Sequence, residues 1–151
     1  MKKRLILASI LVFSFVFISG ALASGHNADI KIGIILGFTG PIESLTPDMA
    51  ASAELALKEA SDSGLLLGGR KAVGVRADST CIDAGAATTA AERLVTSDKV
   101  AAIMGADCSG VTTAIANNVA IPNGVPIMSP SATSPALTTI ADNGYFFRTA
   151  P

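Results

Sequence analysis

Ile30-Lys31-Ile32-Gly33-Ile34-Ile35-Leu36 places an apolar residue at nearly every position, and isoleucine supplies four of the seven. A strand with one wet face would alternate; a continuous run is a strand covered on both faces, as in a parallel sheet. The turn-rich stretch Gly37-Phe38-Thr39-Gly40-Pro41 follows, and then Pro47 and Asp48 open a helix. Proline suits a first helical turn, and an acid beside the positive helix end is favourable. Met49, Ala53, Ala56, Leu57 and Ala60 recur at helical spacing until Gly64 ends the run. The same alternation continues along the chain. Strands are predicted at Ala72–Ala77, Val100–Met104, Pro126–Met128 and Tyr145–Arg148, with helices at Asp83–Thr96 and Ser109–Asn118 between them.

Strand, helix, strand, helix is the pattern of βαβ units, so the fold class is α/β, a parallel sheet flanked by helices. Ligands of such sheets bind beyond the carboxyl ends of the strands, where strand order reverses. The segments that follow the strands are therefore the candidate site: 37–41, 78–81, 105–110 and 129–135. All four are rich in small polar residues.

Composition narrows the function. The 151 residues are 50% hydrophobic and 15% charged, with 11 basic against 12 acidic residues, so the basic footprint of a nucleic-acid binder is missing. The first 23 residues carry Lys2, Lys3 and Arg4, an apolar run Leu5–Ile18 and the small-x-small ending Ala21-Leu22-Ala23. That is the layout of a cleaved secretory signal; the run is short for a membrane anchor, which needs about 20 apolar residues. Residues 1–23 are read as signal peptide and 24–151 as one exported α/β lobe, periplasmic and with no stable membrane insertion after cleavage. No cysteine follows the apolar run, so no lipid anchor is expected. In an oxidising compartment Cys81 and Cys108, the only cysteines, are expected to form a disulfide, the alternative being two separate buried thiols.

Catalysis has few parts to work with. Gly33, Gly37 and Gly40 do not form G-x-G-x-x-G, and Pro41 stands where the helix would begin. A structural turn and a cleft edge both remain open for them. His26 is the only histidine and lies three residues past the expected cleavage point; one histidine with two distant cysteines makes neither a triad nor a zinc set. Asp78, Asp83 and Asp107 either converge near the cleft or, the simpler reading, are solvated loop carboxylates or caps, with Asp83 a helix N-cap. No enzyme activity, metal or cofactor is expected. Ser109 reads as the cap of the third helix, whose free N–H groups could receive a carboxylate; a serine that only caps its own helix is the simpler alternative. Prolines 130 and 135 bracket Ser129-Pro130-Ser131-Ala132-Thr133-Ser134-Pro135, an irregular loop able to aim the Ser131 carbonyl and Thr133 hydroxyl at a small polar ligand, or else a surface turn.

Read together, IKIGIILGFTGP, PDMAASAELALKEA, VRADSTCIDAGAATTAAERLV, VAAIMGADCSG, VPIMSPSATSPALT and FFRTAP resemble the amino-terminal lobe of the periplasmic branched-chain amino-acid (Leu/Ile/Val-type) binding proteins of ABC transporters. The resemblance spans residues 29–151. It implies a type I periplasmic-binding-protein lobe, a Cys81–Cys108 disulfide, and ligand contacts from Ser109, which would bind the α-carboxylate, and from Ser131, Ala132 and Thr133 of the S-P-x-A-T loop. It implies an amino acid or related solute as ligand and a membrane permease as partner. Where the family often places an aromatic residue after G-P, this chain has Glu43, Ser44 and Leu45, so Leu45 takes that candidate position and amides, urea or other small polar solutes enter as ligands. A sensor that reports to a membrane partner is the alternative to transport. The family's second lobe has no counterpart here, which implies a truncated amino-terminal lobe.

Overall fold

The structure, a computed structural model, describes residues 28–151; the expected signal peptide and His26 lie outside them. Five parallel strands form one sheet in the order β2-β1-β3-β4-β5: β1 Ile30–Leu36, β2 Ala72–Asp78, β3 Ala102–Gly105, β4 Ile127–Ser129 and β5 Phe146–Arg148. The helices are α1 Thr46–Asp62, α2 Ala84–Glu92 and α3 Ser109–Ile115. Strand order reverses between β1 and β3. The connection from β1 to β2 runs one way across the sheet and every later connection the other, and right-handed crossovers then put α1 on one face and α2 and α3 on the opposite one.

The strand β1 shows why its run is continuous. Ile34 and Leu36 pack with Ala50 of α1, while Ile35 joins Ala87, Ala91 and Leu94 on the other side, with Ile103, Ile115 and Ile127. A side-chain period of two thus feeds both cores from one strand. Gly33 faces the second core, where a Cβ would stand 2.9 Å from the Leu94 side chain. That settles it as close strand-to-helix packing rather than cleft edge.

Helix predictions hold in place and differ in detail. Pro47 and Asp48 occupy the first turn of α1, and Asp83 caps α2 by accepting from Ala86 N–H at 2.9 Å. The second and third helices each change to a wider turn, Arg93–Ser97 and Ala116–Ala120, closed by Asp98 N–H to Arg93 C=O and Ile121 N–H to Ala116 C=O. Ala56 is exposed; Met49, Ala53 and Leu57 line the sheet side together with buried Thr46 and Ala50. The β3 strand starts two residues later than expected and runs on to Gly105. At the end of the 129–135 stretch the chain turns into a short 3-10 segment, Pro135–Thr139, capped by the Ser134 side chain.

Beyond α1's reach, Met128 of β4 and Phe147 of β5 are register partners and remain about half exposed. No helix among the described residues is long and apolar enough to cross a membrane.

Candidate functional site

The carboxyl ends of β1, β2 and β3 meet around one buried carboxylate. Asp107 is 4% exposed. Its Oδ2 accepts from Gly37 N–H at 2.7 Å, and its Oδ1 from Cys108 N–H at 2.9 Å and from the Ser79 hydroxyl at 3.3 Å. Three loops are thereby tied to one side chain, which corrects the reading of Asp107 as a solvated carboxylate. A charged group this deep is tolerable because donors surround it. Over the same point the Cys81–Cys108 disulfide closes, linking the loops after β2 and β3 across β1.

The β1 loop is shaped by its neighbours. Gly40 has φ +96°, and a Cβ there would approach the Thr80 carbonyl oxygen to 2.5 Å, so both conformation and space demand glycine. Buried Thr46 donates to the Gly37 carbonyl at 3.1 Å and closes the turn back on β1. On the α1 face, Arg76 grips Glu54 through two hydrogen bonds, 2.6 and 2.8 Å, and lies over the Phe38 ring. Leu45 ends this turn at 62% exposure, with Glu43 and Ser44 exposed beside it.

Asp78 is half-buried rather than solvated. It accepts from the Thr39 hydroxyl at 2.6 Å and from the Thr80 N–H at 2.8 Å. Burial pushes its pKa up, but the Thr39 hydroxyl and the backbone N–H groups of Thr80, Thr39 and Phe38 outweigh that and hold it below the ordinary aspartate value. With the folded-state pKa depressed, the stabilisation is complete above the unfolded value of about 3.9 and is lost as pH falls through the lower folded value. Urea midpoints measured from pH 6 down to pH 2.5 are expected to fall less steeply below pH 4 in Asp78→Asn than in the parent; superimposable profiles would remove Asp78 from the acid response.

The third and fourth loops lock together. Ser129 donates to the Ala106 carbonyl and accepts from Ala132 N–H at 3.0 Å. The Ser131 hydroxyl donates to the Asp107 carbonyl at 2.9 Å. Ser109 is not the cap of α3: that position is Cys108, whose side chain is committed to the disulfide. Ser109 is the first helical residue, and its Oγ accepts from the N–H groups of Thr133 and Ser134 at 3.1 and 3.0 Å. Two lone pairs are then engaged, while no hydrogen bond among the described residues uses the hydroxyl hydrogen. The Thr133 hydroxyl is likewise unengaged there, and Thr133 is exposed.

Ser109, Ser131, Ala132 and Thr133 therefore stand together, whereas Leu45 stands on the separate β1 turn. Ala132 is fully buried, and its N–H and C=O are both bonded within the protein. The sequence reading gave no role to Thr46 or Arg148, and it placed Ser79 in a candidate loop without assigning it one. Threonine and serine beside strand ends carry no signal that separates a buried tie from a surface turn.

The arrangement is a reversal point in a parallel sheet with hydroxyls and helix N–H groups at its rim. Residues 29–151 match the family described as periplasmic binding protein. The chain belongs to that family. Among relatives, the Leu/Ile/Val-binding protein homolog 7 of Brucella abortus is 33% identical over 138 residues, 91% of this chain and 32% of the relative. The substrate binding protein LivJ of a branched-chain amino acid transporter from Streptococcus pneumoniae, solved in complex with isoleucine, is 32% identical with a TM-score of 0.71, over 80% of this chain and 33% of that one. A solute binding protein of an ABC transporter from Rhodopseudomonas palustris, in complex with 3,4-dihydroxy benzoic acid, is 25% identical with a TM-score of 0.67, covering 80% of this chain and 31% of that one. The chain spans about a third of the length of the curated relatives it matches. Its fold is one lobe of the type I periplasmic binding protein.

Proposed function

We propose that this lobe is the carboxylate-holding half of a periplasmic solute receptor, exported by residues 1–23, that delivers a branched-chain or related amino acid to the permease of an ABC importer. The observation that carries the reading is Ser109. Its oxygen accepts from the Thr133 and Ser134 N–H groups, which leaves its hydrogen a donor with no partner among the described residues, next to a loop whose Thr133 hydroxyl is likewise unengaged. The N–H groups of the first turn of α3 have no partners within the helix and add to the attraction for an anion. The Ser131 carbonyl supplies an acceptor for an ammonium group, and Ala132 holds the loop. A second lobe would close over the ligand and exclude water. The role is binding, without turnover.

The Rhodopseudomonas structure favours a second reading, in which the carboxylate belongs to an aromatic acid. Leucine at position 45, where the resemblance implies an aromatic cover, leaves room for that choice. Backbone amide shifts of the chain purified after export, titrated with leucine, isoleucine, valine and 3,4-dihydroxybenzoate, test both readings. Saturable shifts at Ser109, Gly110 and Thr133 are expected, with an affinity on the order of millimolar for one lobe alone, roughly −4 kcal/mol. Ser109→Ala and Thr133→Val should each weaken binding about tenfold or more, since a hydrogen bond to a charged group contributes about 1.5–3 kcal/mol. Equal affinity in both variants would reject the site.

A further inference from the structure

Arg148, at the end of β5, makes three hydrogen bonds, all to the segment after β4. One guanidinium nitrogen donates to the carbonyls of Ala132 and Ser134, at 3.3 and 3.0 Å, and the other to the Thr138 hydroxyl at 2.7 Å. Its neighbour Thr149 adds two more ties, N–H to the Ser129 carbonyl at 3.1 Å and hydroxyl to the Pro130 carbonyl at 3.0 Å. The ion pairs among the described residues are Lys58–Asp62, Arg76–Glu54 and Arg93–Asp98; Arg148 belongs to none of them. A half-buried guanidinium is thus spent on carbonyl oxygens rather than on a carboxylate.

These carbonyls belong to the residues on either side of Thr133, and Ser109 holds the N–H groups of Thr133 and Ser134 from the opposite side. Residues 132–134 are gripped by a charged fork from β5 and a hydroxyl from α3. The loop groups left without a partner among the described residues include the Ser131 carbonyl, the Thr133 carbonyl and the Thr133 hydroxyl. We propose that Arg148 is the positioning residue of the ligand loop: by occupying the Ala132 and Ser134 carbonyls it fixes where the Thr133 hydroxyl and Ser131 carbonyl stand, and it acts through geometry rather than through charge on the ligand. This rests on the ligand site assigned under Proposed function.

Arginine and lysine separate geometry from charge, because lysine keeps the charge but cannot span two carbonyls and a hydroxyl with a planar fork. In Arg148→Ala and Arg148→Lys alike, amide hydrogen exchange at Thr133 and Ser134 is expected to accelerate at least tenfold while the amides of Ile34 and Ile103 keep their protection. Leucine affinity should fall about fivefold or more in both. Unchanged exchange at Thr133 and Ser134 would overturn the proposal, as would recovery of leucine binding in Arg148→Lys, which would mean the charge suffices. Uniformly faster exchange across the sheet would also overturn it, by showing a general structural role. If the parent chain gives no saturable shift with any of the four acids, the ligand reading fails, and the exchange of Thr133 and Ser134 still decides whether Arg148 fixes the loop.

Discussion

Asp107→Ala is expected to lower the unfolding free energy by about 3–5 kcal/mol, because it leaves Gly37 N–H, Cys108 N–H and the Ser79 hydroxyl without their acceptor in a buried place. Leaving one buried donor unsatisfied costs about 1–3 kcal/mol; water entering the space of the lost carboxylate recovers part of the total. Asp107→Asn should do little better. Its amide offers one oxygen, but Gly37 N–H and Cys108 N–H address different oxygens of the aspartate, so the NH2 group must face one of these donors. Urea unfolding measures both variants. A loss below about 1 kcal/mol in Asp107→Ala would show that the three loops hold their places without the shared carboxylate.

Removing the disulfide is the other large effect. Cys81 and Cys108 are 27 residues apart, and in the chain-entropy model opening a loop of that size costs about 3–4 kcal/mol. For a domain of this size the Cys81→Ser/Cys108→Ser double variant should melt roughly 10–15 °C lower. The functional consequence is local. A Cβ added at Gly37 would lie 3.3 Å from the Cys81 Cβ and 3.4 Å from the Asp107 carboxylate, so the bridge presses on the same point that Asp107 ties. Equal melting temperatures for the double variant and the parent would show that the loops are already restrained in the unfolded chain or held by other contacts.

The loops of the candidate site were legible to different depths. Asp83 could be read as a cap because an N-cap is a local event: a side chain reaches an N–H three residues on. Ser109 looked the same in sequence, yet its hydroxyl serves Thr133 and Ser134, 24 and 25 residues away. Nothing local distinguishes the two. Asp107 shows the same limit more sharply, since its principal partner, Gly37, is 70 residues distant. Arg148 was visible only as part of FFRTAP, with no indication that it would hold the carbonyls of the loop after β4.

By itself the sequence determined the layers. Continuous apolar runs such as Ile30–Leu36, separated by alanine-rich helices, admit a doubly covered parallel sheet and little else, because period-two and period-3.6 patterns are local properties of the chain. It also pointed to the loops after the strands and, through the resemblance, to Ser109 and the 129–133 loop. Tertiary structure alone decided which groups in those loops are occupied and which are free to meet a ligand. Hydrogen-bond partners at the ends of parallel strands come from different crossovers, so the engagement of Ser109 Oγ, Ser131 Oγ and the Ala132 carbonyl is set by strand order and not by neighbouring residues.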